Sequence, residues 1–456
     1  MIQRLSITGS VPPDPVGIAV AEFVGELLSL ATIKLHYRPI GWEPTPEEEP
    51  DGSSEPVAAE SRQILDGWIT TLIVDFEDRI PVSIAQAQSE LGQTLDSLPA
   101  AALNAAVRFQ AVNSGPNDAS LSPSLLRALR DTIIVEFLAQ HPIWNGDDSD
   151  HHRLLAETIE YLIELSGTKV ESQDLTHGVV ITNALTEQPR LTVRYPSGLR
   201  PAKRSPLLFD GRQAVLVVDE MGRARTELQA HRLDQLIPDA PDLTPERKPF
   251  SDSGSLVAHA TEKLGGIGFY LQADRSIWAF VDGRPLVVRR SEHWKAFPIW
   301  LTQALQETVG QGSAVELVVQ AALIVSMQEK GAIFGIVGST DALDTAVALK
   351  DRYDLRDDLD PNAMQPETRL HHLIETTVMD AQTLARLAGL DGATIVDCHG
   401  NLLAYGAILT SRDSQHEGAR TAAAKTLSLI AMTVLMVSQD GEITVFQDGR
   451  VVTTLL

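Results

Sequence analysis

Apolar residues recur at three-and-four spacing in several stretches, the signature of a helix with one buried face. AVAEFVGELLSLATIKL, within the first 40 residues, shows it. So do SRQILDGWITTLIVDFEDRI, LPAAALNAAVRFQAV and SPSLLRALRDTIIVEFLAQ, all between residues 57 and 145. Ser122-Pro123 supplies a cap and a first turn for the last of these. Residues 1–150 are therefore expected to be a mostly helical segment. GWEPTPEEEPDGSSEP at 41–56 and NGDDSDHH at 145–152 read as polar breaks.

Past residue 154 the pattern changes. A helix, RLLAETIEYLIELS, leads into HGVVITNA, RLTVRYP and AVLVVDE, which read as strands parted by turn residues. This predicts a mixed α/β, sensor-like module over 151–240. LIPDAPDLTPERKPFSDSGS, at 236–255, is proline-rich and polar and is expected to mark a boundary. Beyond it, SIWAFVDGRPLVVRR carries a hairpin signal at Asp282-Gly283, and HWKAFPIWLTQALQETV reads as a tryptophan-bearing helix. ELVVQAALIVSMQEKGAIFGIV reads as a buried strand, a turn at Lys330-Gly331 and more strand. An acidic, loop-like stretch (340–366) and the helical RLHHLIETTVMDAQTLARLAGL follow. The chain then closes with two strand runs, a helix and a hairpin. The expected fold class is α/β, with a C-terminal mixed twisted sheet flanked by helices over 256–456.

Composition narrows the functions available. The 456 residues are 43% hydrophobic and 21% charged, as in a globular protein of two to four domains. With 37 basic and 61 acidic residues the formal charge is −24, which argues against duplex nucleic acid as a partner. It leaves a single nucleotide open, because a local nest and a metal do not depend on net charge. The single cysteine, Cys398, excludes an internal disulfide framework and a cysteine zinc cage. A reducing, cytoplasmic compartment is expected. Glu22 and Glu26 interrupt the most apolar early stretch, so a buried helix is expected there and no membrane partner.

The candidate chemistry lies in the last 66 residues. Asp391-Gly392-Ala393 precedes a strand. An acid followed by two minimal side chains leaves room for a ligand to approach the backbone, and the carboxylate could hold a divalent metal on phosphates. The same three residues also make an ordinary helix-to-strand turn. Gly406-Ala407 ends the next strand. Gly418-Ala419-Arg420-Thr421 opens a helix, offering backbone N–H groups, a hydroxyl and a guanidinium that suit a triphosphate. An N-cap at Thr421 with a solvated Arg420 is the plainer alternative. Ser438-Gln439-Asp440-Gly441 reads as a hairpin turn. The pairs His151-His152 and His371-His372 read as solvated surface, because helix neighbours point to different faces.

Taken in order, DGATIVDCHGNLLAYGAIL, GARTAAAKTLS and VSQDGEITVF resemble the diadenylate cyclase family, whose catalytic module is also called the DisA nucleotide-binding domain. That family carries a D-G-A motif before a strand, G-T-R-H-R-A-A opening a helix, and a V-S-x-x-x-G hairpin. The resemblance extends less securely back to about residue 310. It implies condensation of two ATP molecules into cyclic di-AMP, with two protomers facing each other in a homodimer or higher homo-oligomer. It implies Mg²⁺ or Mn²⁺ at Asp391, the nucleotide against Gly392, Ala393 and Gly406, and phosphates cradled by Gly418, Ala419, Arg420 and Thr421. Asp391, Arg420 and Thr421 would be the catalytic set. The chain departs from the family at R-H-R, which is here Arg420-Thr421-Ala422. Two phosphate-facing donors are lost, worth on the order of 2–4 kcal/mol of transition-state stabilisation. Two readings follow: a cyclase regulated by its N-terminal region, or a catalytically inactive nucleotide-binding sensor using the same pocket.

Overall fold

The structure is a computed structural model. It describes residues 5–8, 14–28, 31–41, 58–76, 84–112, 121–141, 143–144, 149–170, 173–184, 193–201, 205–232, 256–290, 292–296, 305, 309, 314–328, 330–358, 366–374, 379–409 and 418–454. Most of the expected break at 41–56, the first half of that at 145–152, and the whole proline-rich stretch at 236–255 lie outside these residues. The chain divides into two compact units. One comprises Met1–Asp239, Lys263–Asp282 and Val287–Ala296; the other comprises Ala240–Glu262, Gly283–Leu286 and Phe297–Leu456.

The first unit opens with β1 (Leu5–Thr8), α1 (Pro15–Leu27), β2 (Ala31–Pro39), β3 (Ala58–Arg62) and β4 (Trp68–Phe76), and its first sheet has the order β1-β2-β4-β3. This corrects the helical expectation over 57–76. Thr70, Leu72 and Val74 are fully buried while their neighbours are not, a period of two carried by β-branched residues. The helical pattern of the first 40 residues likewise stops at Leu27, and β2 alternates in burial after it. Helices α2 (Ile84–Val112), α3 (Pro123–Ala139) and α4 (Ser149–Ser166) follow as expected, with Ser122 accepting from the Leu125 N–H to cap α3. His151 and His152, read as solvated, are placed otherwise. His151 is buried and stacks on Trp144, and His152 meets the buried Glu136 carboxylate at 3.3 Å.

A second sheet is built from β7 (His177–Ile181), β8 (Val193–Arg194), β9 (Ala214–Val218), β10 (Arg223–Gln229), β11 (Ile267–Leu271), β12 (Ile277–Val281), β13 (Arg284–Arg290) and β14 (His293–Ala296). A small ribbon, β5 (Lys169–Val170) with β6 (Gln173–Asp174), and two helices, α5 (Ser205–Leu208) and α6 (Leu256–Leu264), complete this stretch of chain. The strand order is β14-β13-β12-β11-β7-β9-β10-β8. Because β11 pairs with β7, Ile267 opposite Ile181, the sheet runs across the proline-rich stretch taken as a boundary. Strands from 267 to 296 thus belong with the middle of the chain, not with the C-terminal sheet. The expected tryptophan helix begins as strand β14, and most of the rest lies outside the described residues.

The second unit carries α7 (Ala314–Met327), β15 (Ala332–Val337), α8 (Pro366–Leu373), α9 (Ala381–Ala388), β16 (Ala393–Asp397), β17 (Leu402–Ala407), α10 (Ala419–Leu427), β18 (Thr433–Val437), β19 (Ile443–Gln447) and β20 (Arg450–Thr454). Its six-stranded sheet has the order β17-β16-β15-β18-β19-β20 and is mixed, since β15 and β16 are parallel and the other pairs antiparallel. The expected α/β class therefore holds. Residues 314–327, read as strand, are helix α7. It is buried around most of its circumference, so its apolar run carries no helical period to read. One core joins Ile333 and Val337 of β15 to Ala424 and Leu427 of α10. Neither α7 nor α9 contributes to that cluster; they pack on each other and on the opposite face of the sheet. In the acidic stretch after β15, the buried Arg352 donates to Asp344 at 2.8 Å and to both oxygens of Asp354. His371 of α8, also read as solvated, is 1% exposed and packs on Tyr405. No described helix is long and apolar enough to cross a membrane.

His177 gives the first unit a pH-dependent stability. It is fully buried among Tyr161, Tyr195 and Phe209. Burial pushes its pKa down to about 4, against an upward pull from the Pro206 backbone. Unfolded histidine titrates near pH 6.5, so between those values the unfolded chain binds more protons. The contribution, on the order of 3 kcal/mol, is fully present above pH 6.5 and is lost as pH falls toward about 4. Melting temperature should drop between pH 7 and pH 5, and His177→Phe should drop less than the parent. Equal drops in the two proteins would place the acid sensitivity elsewhere.

Candidate functional site

The register of two parallel strands assembles the C-terminal motifs. Ile333 of β15 pairs with Ala393 of β16. Both strands start at this end of the sheet, with Gly331 one residue before β15 and Asp391 two residues before β16. Ala332 pairs with Val437, which brings the Ser438–Gly441 hairpin to the same end of the sheet. Ala393 pairs with Ala407, which brings Gly406 there as well.

Gly392 and Gly406 form the tightest part of the site. Gly392 has φ +107° and Gly406 φ +63°, both in the region that favours glycine. A Cβ on Gly392 would stand 2.6 Å from the Gly406 carbonyl oxygen and 2.8 Å from the Ala407 nitrogen. Two backbones touch here. A Cβ on Gly406 would meet only the Asp391 carbonyl oxygen at 3.4 Å, whereas Gly392 has no space for a side chain. Asp391, one residue earlier, is exposed, and no described residue bonds to its carboxylate. Ala393 is 1% exposed and lies in the core cluster. Its side chain fills the sheet-to-α10 layer, so only the backbone at this position can border a ligand.

Gly418 is the N-cap of α10 and has no side-chain capping bond. That corrects the alternative of Thr421 as the cap: Thr421 sits in the first turn, with Oγ1 3.8 Å from Met436 Sδ. The first N–H groups of α10, at Ala419, Arg420 and Thr421, are thus left without a capping side chain. Arg420 reaches back over Gly331, where a Cβ would come within 2.7 Å of its Nε. The guanidinium therefore lies on the backbone just before β15. Arg420 and Asp391 form no ion pair. Ala422, where the family pattern has its second arginine, is 5% exposed and offers no donor. The hairpin is an ordinary turn: Ser438 Oγ accepts from the Glu442 N–H, and Ser326 Oγ donates to the Gly441 carbonyl at 2.5 Å.

Sequence reasoning identified Asp391, Gly392, Gly406 and Arg420 but took Gly331 as a plain turn residue. Its only signal was a glycine directly before a strand, which does not reveal that an arginine some ninety positions later needs the space. Among the described residues no group of three or more His, Cys, Asp and Glu could hold a metal. One exposed carboxylate fits a Mg²⁺ or Mn²⁺ held chiefly by substrate phosphates and water, and does not fit a metal caged by protein alone.

No family model matches the chain, and no curated protein matches it. Among solved structures it is similar to the crystal structure of a hypothetical membrane spanning protein from Bacillus cereus, at 16% identity and a TM-score of 0.26. The match covers 34% of this chain and 72% of that one.

The Gly392 contact predicts a sharp contrast. Gly392→Ala should destabilise the chain by about 2 kcal/mol or more, through both the backbone angle and the collision with Gly406. Gly418→Ala, with φ −60° and nothing nearer than Thr421 Oγ1 at 3.9 Å, should cost less than about 1 kcal/mol. Denaturant midpoints of the two variants check this, and equal midpoints would contradict the close-contact account.

Proposed function

We propose that the C-terminal unit binds ATP at the shared end of β15 and β16 and condenses two ATP molecules into cyclic di-AMP, under regulation by the residues before it. The observation that carries this reading is the convergence of Asp391-Gly392, Gly406, the Arg420 guanidinium on Gly331, and the uncapped start of α10 at one sheet end. The free N–H groups of α10 and the Arg420 guanidinium donate to phosphate oxygens. Thr421 adds a hydroxyl, and Gly392 lets the nucleotide lie against backbone. A divalent metal bound with the phosphates would supply charge neutralisation, and Asp391 is the residue placed to hold it and to help activate a 3′-hydroxyl. Each 3′-hydroxyl attacks the α-phosphorus of the opposite ATP, and pyrophosphate leaves. One site presents one nucleotide, so a cyclic product requires two protomers face to face.

A second reading has its own support. The buried Ala422 and the turn of Thr421 toward Met436 leave Arg420 as the one charged donor that the R-T-A motif offers to phosphates. That favours a sensor which binds nucleotide at the same place without turnover. Incubation with ATP and Mn²⁺, followed by chromatography for a cyclic dinucleotide, separates the two.

Under the cyclase reading, Asp391→Asn should abolish metal-dependent product formation and leave the melting temperature unchanged, since its carboxylate is exposed and supports no other group. Unchanged product formation would remove Asp391 from the metal role. Under either reading, Arg420→Ala should weaken ATP binding by about 1.5–3 kcal/mol, the scale of a charge-assisted hydrogen bond. Calorimetry showing equal affinity would make Arg420 a solvated helix-start residue.

A further inference from the structure

On the face of the sheet opposite α10, the end of α7, Lys330 two residues before β15, and the helix α9 enclose an open recess of about 370 Å³. Gln328, Lys330, Gln382, Thr383, Arg386 and Leu390 line it. Its chemistry is that of donors. Lys330 and Arg386 are exposed, and neither forms an ion pair with any described residue. Arg108, Arg127, Arg130, Arg200, Arg225 and Arg352, by contrast, pair with acids. Two cations brought to one concavity without a counter-ion repel each other unless an anion is shared between them. Among the described residues the acid next to this lining in sequence is Asp380, which caps α9 by accepting from the Thr383 N–H and hydroxyl. It is committed to that helix start, where it accepts from Thr383, leaving Lys330 and Arg386 as the charged groups on the lining of the recess.

We infer that this recess is a second anion site, separate from the one at Asp391 and Arg420, and that it takes a small phosphorylated ligand. The volume falls within the roughly 300–1,000 Å³ of small-molecule pockets. A guanidinium fork beside an ammonium and amide donors matches the tetrahedral oxygens of phosphate better than a single carboxylate. The two sites share strand ends. Lys330 directly precedes Gly331, on which the Arg420 guanidinium rests, and Leu390 directly precedes Asp391. A phosphate bridging Lys330 and Arg386 therefore holds the backbone that presents both groups of the candidate nucleotide site. The inference stands whether or not that site turns over ATP.

The test uses the full chain with inorganic pyrophosphate as probe, by titration calorimetry at constant ionic strength. The Arg420→Ala background removes the guanidinium of the candidate nucleotide site. In that background pyrophosphate should still bind, and Arg386→Glu should weaken it by tenfold or more, about the effect of one charge-assisted hydrogen bond. Lys330→Gln, a milder exposed change, should weaken it in the same direction, so a folding defect in one variant does not decide the matter. Binding lost in Arg420→Ala but unchanged in Arg386→Glu would place the anion at the nucleotide site and overturn the inference. So would an absence of pyrophosphate binding at millimolar concentration.

Discussion

The parallel pairing of β15 with β16 is the constraint on which the C-terminal unit depends. Setting Ile333 against Ala393 aligns the starts of β15 and β16, which Gly331 and Asp391 shortly precede in the chain. A shift of one residue would turn every side chain of β16 to the other face and separate those starts. The antiparallel neighbours then deliver Gly406 and the 438–441 hairpin to the same edge. The glycine at 392 follows from this arrangement, since a Cβ there would collide with the backbone of Gly406 and Ala407, whereas at Gly331 only the end of the Arg420 side chain would have to shift.

Charge is organised locally within a strongly acidic chain. Arg352 is fully enclosed yet satisfied by Asp344 and Asp354, and the two acids hold its pKa above the usual arginine range against the opposing effect of burial. Glu136 is similarly buried between Arg108 and His152. These pairs make acidic surface compatible with a packed interior, because a buried charge without a partner costs several kcal/mol. Arg420, Lys330 and Arg386 form no ion pair with a described residue, and the two proposed anion sites rest on them.

Much of the second unit was legible in the chain itself. The strands at 393–397 and 402–407, the helix opening at Gly418-Ala419-Arg420-Thr421 and the 438–441 hairpin are short local elements with strong turn signals, and each falls where its sequence places it. Local signals fail where burial is nearly complete. Helix α7 is apolar on almost every side, so no period distinguishes it from a strand. Residues 68–76 fit both periods, and pairing with β2 and β3 selects the strand. The histidines at 151, 152 and 371 show the same limit, since partners such as Trp144, Glu136 and Tyr405 become visible only once helices pack.

The sequence by itself determined the residue types of the candidate site: an acid with two minimal neighbours, a glycine at a strand end, and an arginine in the first turn of a helix. Their spacing along the chain follows from covalent order, and their turn chemistry from backbone sterics. Only the tertiary structure decided that they meet. Packing of α10 on the sheet places Gly331 beneath Arg420, and sheet order pairs the strands at 267–296 with the middle sheet rather than the C-terminal one. The physical reason is that register and strand order are set by hydrogen bonds and buried contacts between residues far apart in sequence, and no local pattern records those.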